Sequence, residues 1–325
     1  MRDEVRGNPR GAAVGPLTVS QRSARLAARR RQVRRRQAVA LGVIVLLIVA
    51  VVVAVMPSGH PIFQPSAAPP QPQAASGQPV APAKPVVHTP HPTPPSPSAQ
   101  AAPVDRVLHY TSYVQLAGHR HREVALTFDD GPSPYTPQVL RVLAQMHAPA
   151  TFFLIGRSAS AYPRFVAAEA AAGQEVGNHT ETHPPLGQLS SGEQATQLQE
   201  ASAAIKRGGA PSPVLMRPPY GSLDAATVNV LKAQGLLMVL WSVDTNDYSR
   251  PGVSRIIYTA VSGAQPGAIV LMHDGGGDRS ETVAALPRII TRLRQRGFRL
   301  VTISQLMADD PPPKNQPPPR SLAGF

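Results

Sequence analysis

Between Asp105 and Asp309 short apolar runs alternate with stretches of helical periodicity, which limits the chain to few architectures. Strand-like runs lie at Glu123–Phe128, Ala150–Ile155, Glu175–Gly177, Pro213–Met216, Leu237–Val243, Ala268–Met272 and Phe298–Ile303. Helical patterns lie between them, near Thr136–Met146, Tyr162–Ala172, Gly192–Lys206, Asp224–Ala233, Gly252–Val261 and Glu281–Arg296. Repeated strand–helix alternation predicts a parallel sheet with helical crossovers. Seven strands in this rhythm suit an α/β barrel, closed or incomplete, at least as well as an open doubly wound sheet. The segment 105–309 is long enough for one substantial core.

The rest of the chain reads differently. Of the 37 prolines, 15 fall in the 48 residues 57–104, among Ala, Gln and Ser. Such a segment buries too little apolar surface to fold and favours extended polyproline II, so 57–104 is expected to be a disordered linker, with His88 and His91 solvated in it. A second Pro-rich tail is expected at 310–325. Ala38 to Met56 is an uncharged run of 19 residues. At 1.5 Å per residue it reaches roughly 28 Å, near the hydrocarbon thickness of a bilayer. A cleavable signal has a shorter apolar region nearer the N-terminus, so a retained transmembrane helix is the expectation.

Charge supports the same reading. Residues 1–37 carry eleven arginines against Asp3 and Glu4, a net of +9, which leaves +4 of the total +13 for everything else. The basic segment lies just before the apolar run, so it is expected to be cytoplasmic and everything after Pro57 outside. A nucleic-acid partner is not expected, because the charge belongs to this tail. No oligomer is implied. The absence of cysteine excludes disulfides and thiolate metal sites.

Five polar clusters fall at the C-terminal ends of the predicted strands, the face where α/β barrels collect catalytic residues. Thr127-Phe128-Asp129-Asp130-Gly131-Pro132 sets two carboxylates side by side, one free to hold a metal and the other to handle a proton. Asn178-His179-Thr180-Glu181-Thr182-His183 sets two histidines four apart, on a loop or one turn, able to converge on one ion. Together with an Asp from another strand they give the three-ligand pattern of a catalytic metal with an open position. Glu181 reads as solvated or as a supporting residue. Arg217-Pro218-Pro219-Tyr220-Gly221 is a stiff loop presenting a cation and a backbone N–H; Trp241 to Tyr248 and Leu271-Met272-His273-Asp274 follow. The Gly275-Gly276-Gly277 run reads as a flexible turn. His109, His119, His121 and His147 show no ligand-like grouping.

The ordered set TFDDGP, HTETH, RPPYG, DTNDY and LMH closely resembles the polysaccharide deacetylase family, the NodB-homology domain of carbohydrate esterases. The match runs from about Glu123 to Met307. The resemblance implies a distorted (β/α) barrel with about seven parallel strands, hydrolysing an N-acetylated polysaccharide. It implies one divalent metal, Zn²⁺ first and Co²⁺ or another ion as alternatives, on Asp130, His179 and His183. Asp129 would be general base, the backbone N–H of Tyr220 an oxyanion donor and His273 general acid. Asp244 is the first choice to orient His273, with Asp247 as alternative, and Arg217 is placed beside Asp129. Pro219, Tyr220, Leu271 and Tyr248 would contact substrate. Tyr248 stands where the fourth motif usually carries Trp. Two other readings are an O-acetyl sugar esterase on the same fold and a non-catalytic glycan-binding module. The tether favours a glycan at the cell's own surface, peptidoglycan GlcNAc or MurNAc.

Overall fold

The computed structural model describes residues 97–314. The basic segment 1–37, the apolar run 38–56, residues 57–96 of the expected linker and residues 315–325 of the expected tail lie outside the described residues. Among the described residues no helix is long and apolar enough to cross a membrane.

The first helix, α1 (Pro97–Leu108), leads to the short strand β1 (Tyr113–Val114) and the long β2 (Glu123–Gly131). Then come α2 (Thr136–Gln145), β3 (Thr151–Leu154), α3 (Gly156–Ala161), α4 (Pro163–Ala171), β4 (Glu175–Asn178) and α5 (Ser191–Arg207). The second half holds β5 (Leu215–Met216), α6 (Ala225–Ala233), β6 (Leu237–Val239), β7 (Val243–Asp244) and α7 (Val253–Gly263). It ends with β8 (Ala268–His273), α8 (Ser280–Gln295), β9 (Arg299–Val301) and α9 (Ile303–Asp309). Helix starts follow local chemistry: Ser190 with Glu193, and Asp224 with Thr227, form reciprocal capping boxes at α5 and α6.

All strand pairs are parallel, in the order β1-β6-β5-β4-β3-β2-β8-β7. β9 pairs with Glu123–Ala125 of β2, ahead of the stretch Thr127–Gly131 that pairs with β3. No ladder joins β1 to β7, so the barrel is incomplete. The expected strand Leu237–Val243 is in fact two, β6 and β7, near opposite ends of the sheet. The residues between them stitch the seam: Leu240 N–H donates to Val114 O and Ser242 N–H to Ile269 O. An apolar run does not reveal that it crosses from one edge to the other.

The alternation of β2 sorts its side chains. Val124, Leu126 and Phe128 pack outward with helix residues such as Leu143, Leu286 and Ile290. Ala125 faces inward with Phe153, Leu215, Leu237 and Ile269. α1 and α9 close this inner core through Val104, Val107, Ile303, Leu306 and Met307. Fully burying each such aliphatic chain contributes roughly 1.5–3 kcal/mol.

Two expected boundaries therefore move. Pro97–Val104 is helix and not linker, because Val104 is buried in the core. Asp310 belongs to the domain and not to the tail, since its buried carboxylate accepts the N–H groups of Arg120 and His121.

Candidate active site

Asp129 and Asp130 lie just before Gly131 at the end of β2, and strict alternation would send them to opposite faces. Asp129 keeps the inward direction. At Asp130 the register with β3 shifts and φ becomes 71°, a bulge that redirects the second carboxylate to the strand end. The neighbouring turns use the same device: Thr180 (φ 67°), His183 (φ 64°) and Tyr220 (φ 59°) are all left-handed. Such non-glycine backbones cost of order 1–3 kcal/mol each and cluster at functional sites.

The HTETH segment is a bent loop. Asn178 Oδ1 accepts from Thr180 N–H at 2.7 Å, and Thr180 Oγ1 accepts from His183 N–H at 3.0 Å. This loop brings His179 and His183 together, with ring centroids 4.9 Å apart. His179 Nδ1 lies 2.6 Å from Arg217 O, so it must carry the proton and leave Nε2 with its lone pair. His183 Nδ1 lies 3.1 Å from the Tyr220 hydroxyl. The two Nε2 atoms approach Oδ1 of Asp130 at 3.5 Å from His179 and 3.1 Å from His183.

These residues fit a metal. Bonds of about 2.0–2.1 Å in a tetrahedron set donor atoms about 3.3 Å apart, close to both separations. Oδ1 of Asp130 is buried and accepts no hydrogen bond, an arrangement that is costly unless a cation completes it. Asp130, His179 and His183 are the one such group of donors among the described residues, with all ligand atoms within 4.8 Å of one another. The backbone carbonyl on His179 is the outer support that fixes a ligand's tautomer and orientation. Glu181 takes no part, because its carboxylate packs against Gly156.

Asp129 is buried beside this group. Its Oδ1 accepts from Arg217 Nη1 at 2.7 Å, while Oδ2 lies 3.7 Å from His179 Nε2. Arg217 is fully buried inside the barrel, bonded also to Thr127 Oγ1, Val239 O and Leu240 O, with Phe153 4.3 Å beneath its guanidinium.

His273 ends β8, in register with Asp129. Asp247, not Asp244, holds it: Asp247 Oδ1 lies 2.7 Å from His273 Nδ1, and Oδ2 accepts His273 N–H at 2.9 Å. Thr282 Oγ1 donates to the same Oδ2 at 2.6 Å. Asp244 instead accepts from Asn246 N–H, and burial pushes its carboxyl up. Burial alone would lower the His273 pKa. The hydrogen bond and charge of Asp247, with the charges of Asp129 and Asp130, outweigh burial and hold it above the ordinary imidazole value.

One cleft of about 770 Å³ joins these groups. Asp129, Asp130, His179, His183, Asp244 and His273 line it, with Leu271 and the aromatics Tyr220, Trp241 and Tyr248 as walls. Tyr248 stands edge-on to His273 at 5.4 Å. Pro219 is buried in its turn, and Pro218 takes the wall position expected for it. Sequence reasoning also missed Arg279 and Gly276 in the wall, and Thr282 behind Asp247. Gly276 lies in the run read as a flexible turn, and Arg279 follows it closely. Nothing in sequence singles out Thr282.

A profile of the family described as Polysaccharide deacetylase matches residues 117–239. A peptidoglycan-N-acetylglucosamine deacetylase of Bacillus cereus (strain ATCC 14579) is 42% identical over 204 residues, 62% of this chain and 95% of that protein. A chitooligosaccharide deacetylase of Bradyrhizobium sp. (strain ANU 289) is 43% identical over 199 residues, 57% of this chain and 90% of the relative. Among solved structures, the Bc1960 peptidoglycan N-acetylglucosamine deacetylase superposes with a TM-score of 0.60 at 32% identity, covering 63% of this chain and 97% of its own.

Proposed function

The chain belongs to the polysaccharide deacetylase family, a family of polysaccharide N-deacetylases, and from that premise we propose that it deacetylates peptidoglycan GlcNAc or MurNAc at the cell surface. The observation that carries the mechanism is the orphaned Oδ1 of Asp130 facing two imidazole nitrogens, with Asp129 and His273 in the same cleft. A divalent ion held by Asp130, His179 and His183, Zn²⁺ by the donor set, supplies a Lewis acid and a water of lowered pKa.

The remaining steps belong to this chain's own residues. Arg217 occupies Oδ1 of Asp129, which leaves Oδ2 to take the proton of the attacking water. The backbone N–H of Tyr220 is the oxyanion donor. His273 is bound through Nδ1 to Asp247, so its other ring nitrogen delivers the proton that the departing sugar amine needs. Leu271 and Tyr248 enclose the acetyl methyl.

Acetate release from peptidoglycan, chitooligosaccharide and O-acetylated glycans, measured after adding Zn²⁺ or Co²⁺ to chelated protein, tests this reading. Release of acetate from peptidoglycan fragments is expected. Exclusive turnover of O-acetyl substrates would overturn it.

The apolar run 38–56 behind eleven arginines supports a single-pass anchor with the catalytic domain outside. Protease added to intact cells is then expected to digest the domain. Digestion only after lysis would reverse the topology.

A further inference from the structure

The three glycines after β8 are not a loose turn, because two of them lie against Asp130. A Cβ on Gly275 would fall inside contact distance of the Asp130 carbonyl oxygen, which is backbone and cannot swing aside. A Cβ on Gly276 would fall inside contact distance of Asp130 Oδ2. Gly276 (φ 73°) and Gly277 (φ 140°) also adopt backbone that side chains disfavour. The triplet is therefore a thin wall against the carboxylate.

Arg279 fastens that wall. It is 3% exposed, yet it makes none of the ion pairs found among the described residues. Its guanidinium is spent on carbonyls of its own loop: Nε donates to Gly275 O at 2.5 Å, Nη2 to Gly276 O at 2.9 Å and Nη1 to Asp278 O at 3.4 Å. Charge-assisted donors in a fixed fork hold such a loop more firmly than neutral ones. Asp130 needs outside support, since its backbone is left-handed and no donor fixes Oδ1.

We infer that Arg279 is a positioning residue for Asp130, clamping Gly275 and Gly276 so that Oδ1 stays turned toward Nε2 of His179 and His183. The inference rests on reading those three residues as a divalent-metal site. The clamp is separable from folding. The first part of the loop is tied down independently, to β2 by Asp274 N–H and Gly275 N–H on Asp129 O and to the start of α2 by the Ser133 and Thr136 hydroxyls on Asp274.

The test is Zn²⁺ affinity of the full chain by chelator competition, beside the melting temperature of the metal-free protein. The variants are Arg279→Met, Gly276→Ala and, as control, His179→Ala. Losing the support of a metal ligand typically costs 10–100-fold in affinity, so about that loss is expected for Arg279→Met with metal-free melting near the parent, and for Gly276→Ala with melting lowered by its strained backbone. Parent-like affinity in both, while His179→Ala loses Zn²⁺, overturns the clamp and leaves the metal site standing. Parent-like affinity in His179→Ala overturns the metal site itself, and the clamp with it. Affinity lost by Arg279→Met only in step with a large fall in its melting temperature makes Arg279 a folding residue and also overturns the inference.

Discussion

At the ends of β2 and β4 the cleft is built from backbone bent out of regular structure, while at the end of β8 it is built on an unbroken strand. Asp130, Thr180 and His183 are left-handed, and Oδ1 of Asp130 faces two imidazole nitrogens without accepting a hydrogen bond. His273 is the last residue of a six-residue strand, and Asp247 bonds both its ring and its backbone N–H, with Thr282 fixing Asp247 in turn. The first half gathers donor atoms able to hold a cation, and the second closes on its own hydrogen bonds. Backbone strain is tolerated where an ion will repay it, whereas a proton donor needs a stiff mount and a fixed tautomer.

The largest break in that contrast comes from the metal half. Asp130→Ala removes one of three ligands and is expected to lose the bound ion and, with it, Lewis-acid stabilisation of several kcal/mol, on the order of 10³-fold or more in rate. Metal content and acetate release measured together check this. A variant that keeps both would show that the orphaned oxygen is not a ligand.

Next in size are the two proton-transfer groups, one from each half. Asp129→Asn keeps an oxygen for Arg217 but no longer accepts the water's proton, and a loss of about 10²–10⁴-fold is expected with metal retained. His273→Ala is expected to lose rate in the same range, again with its metal, since it removes an acid and not a ligand. Should either variant lose its ion, the division of the cleft into two halves is wrong.

The same contrast explains what the sequence made legible. The parallel barrel and the ends of β2, β3, β4 and β8 were readable because short apolar runs, buried on both faces, and helical periodicity write themselves into each segment. The grouping of Asp130, His179 and His183, and of Asp129 with His273, in one cleft was readable because each sits at or just beyond a strand end inside a short motif. The partner of His273 was not. Asp244 and Asp247 lie in one loop, and a left-handed Asn246 between them decides which carboxylate reaches the imidazole. Asp244 turns onto Asn246 N–H, and Asp247 reaches the ring. Likewise Leu237–Val243 reads as one strand because its apolar character continues while its hydrogen-bonding partners change. Gly275–Gly277 reads as loose because glycine signals both freedom and lack of room, and only the distance to Asp130 separates the two.

The smallest expected effect is also the sharpest test of the acid half. His273 must be protonated to act, and its folded pKa lies above the ordinary imidazole value: burial lowers it, but the bond and charge of Asp247 outweigh that. Activity is therefore expected to fall as pH rises through that raised pKa, giving the alkaline limb of the profile. Asp247→Asn keeps the shape and removes the charge, so the imidazolium loses its main support and the limb moves to lower pH. Well below the limb the variant still carries a proton on His273 and is expected to retain much of the parent rate. Asp244→Asn is expected to leave the limb nearly in place, because Asp244 bonds Asn246 and not the ring. The measurement is kcat/KM for acetate release across pH for parent and both variants, at saturating Zn²⁺. A limb that shifts with Asp244→Asn and stays put with Asp247→Asn would transfer the orienting role to Asp244 despite the 2.7 Å contact of Asp247.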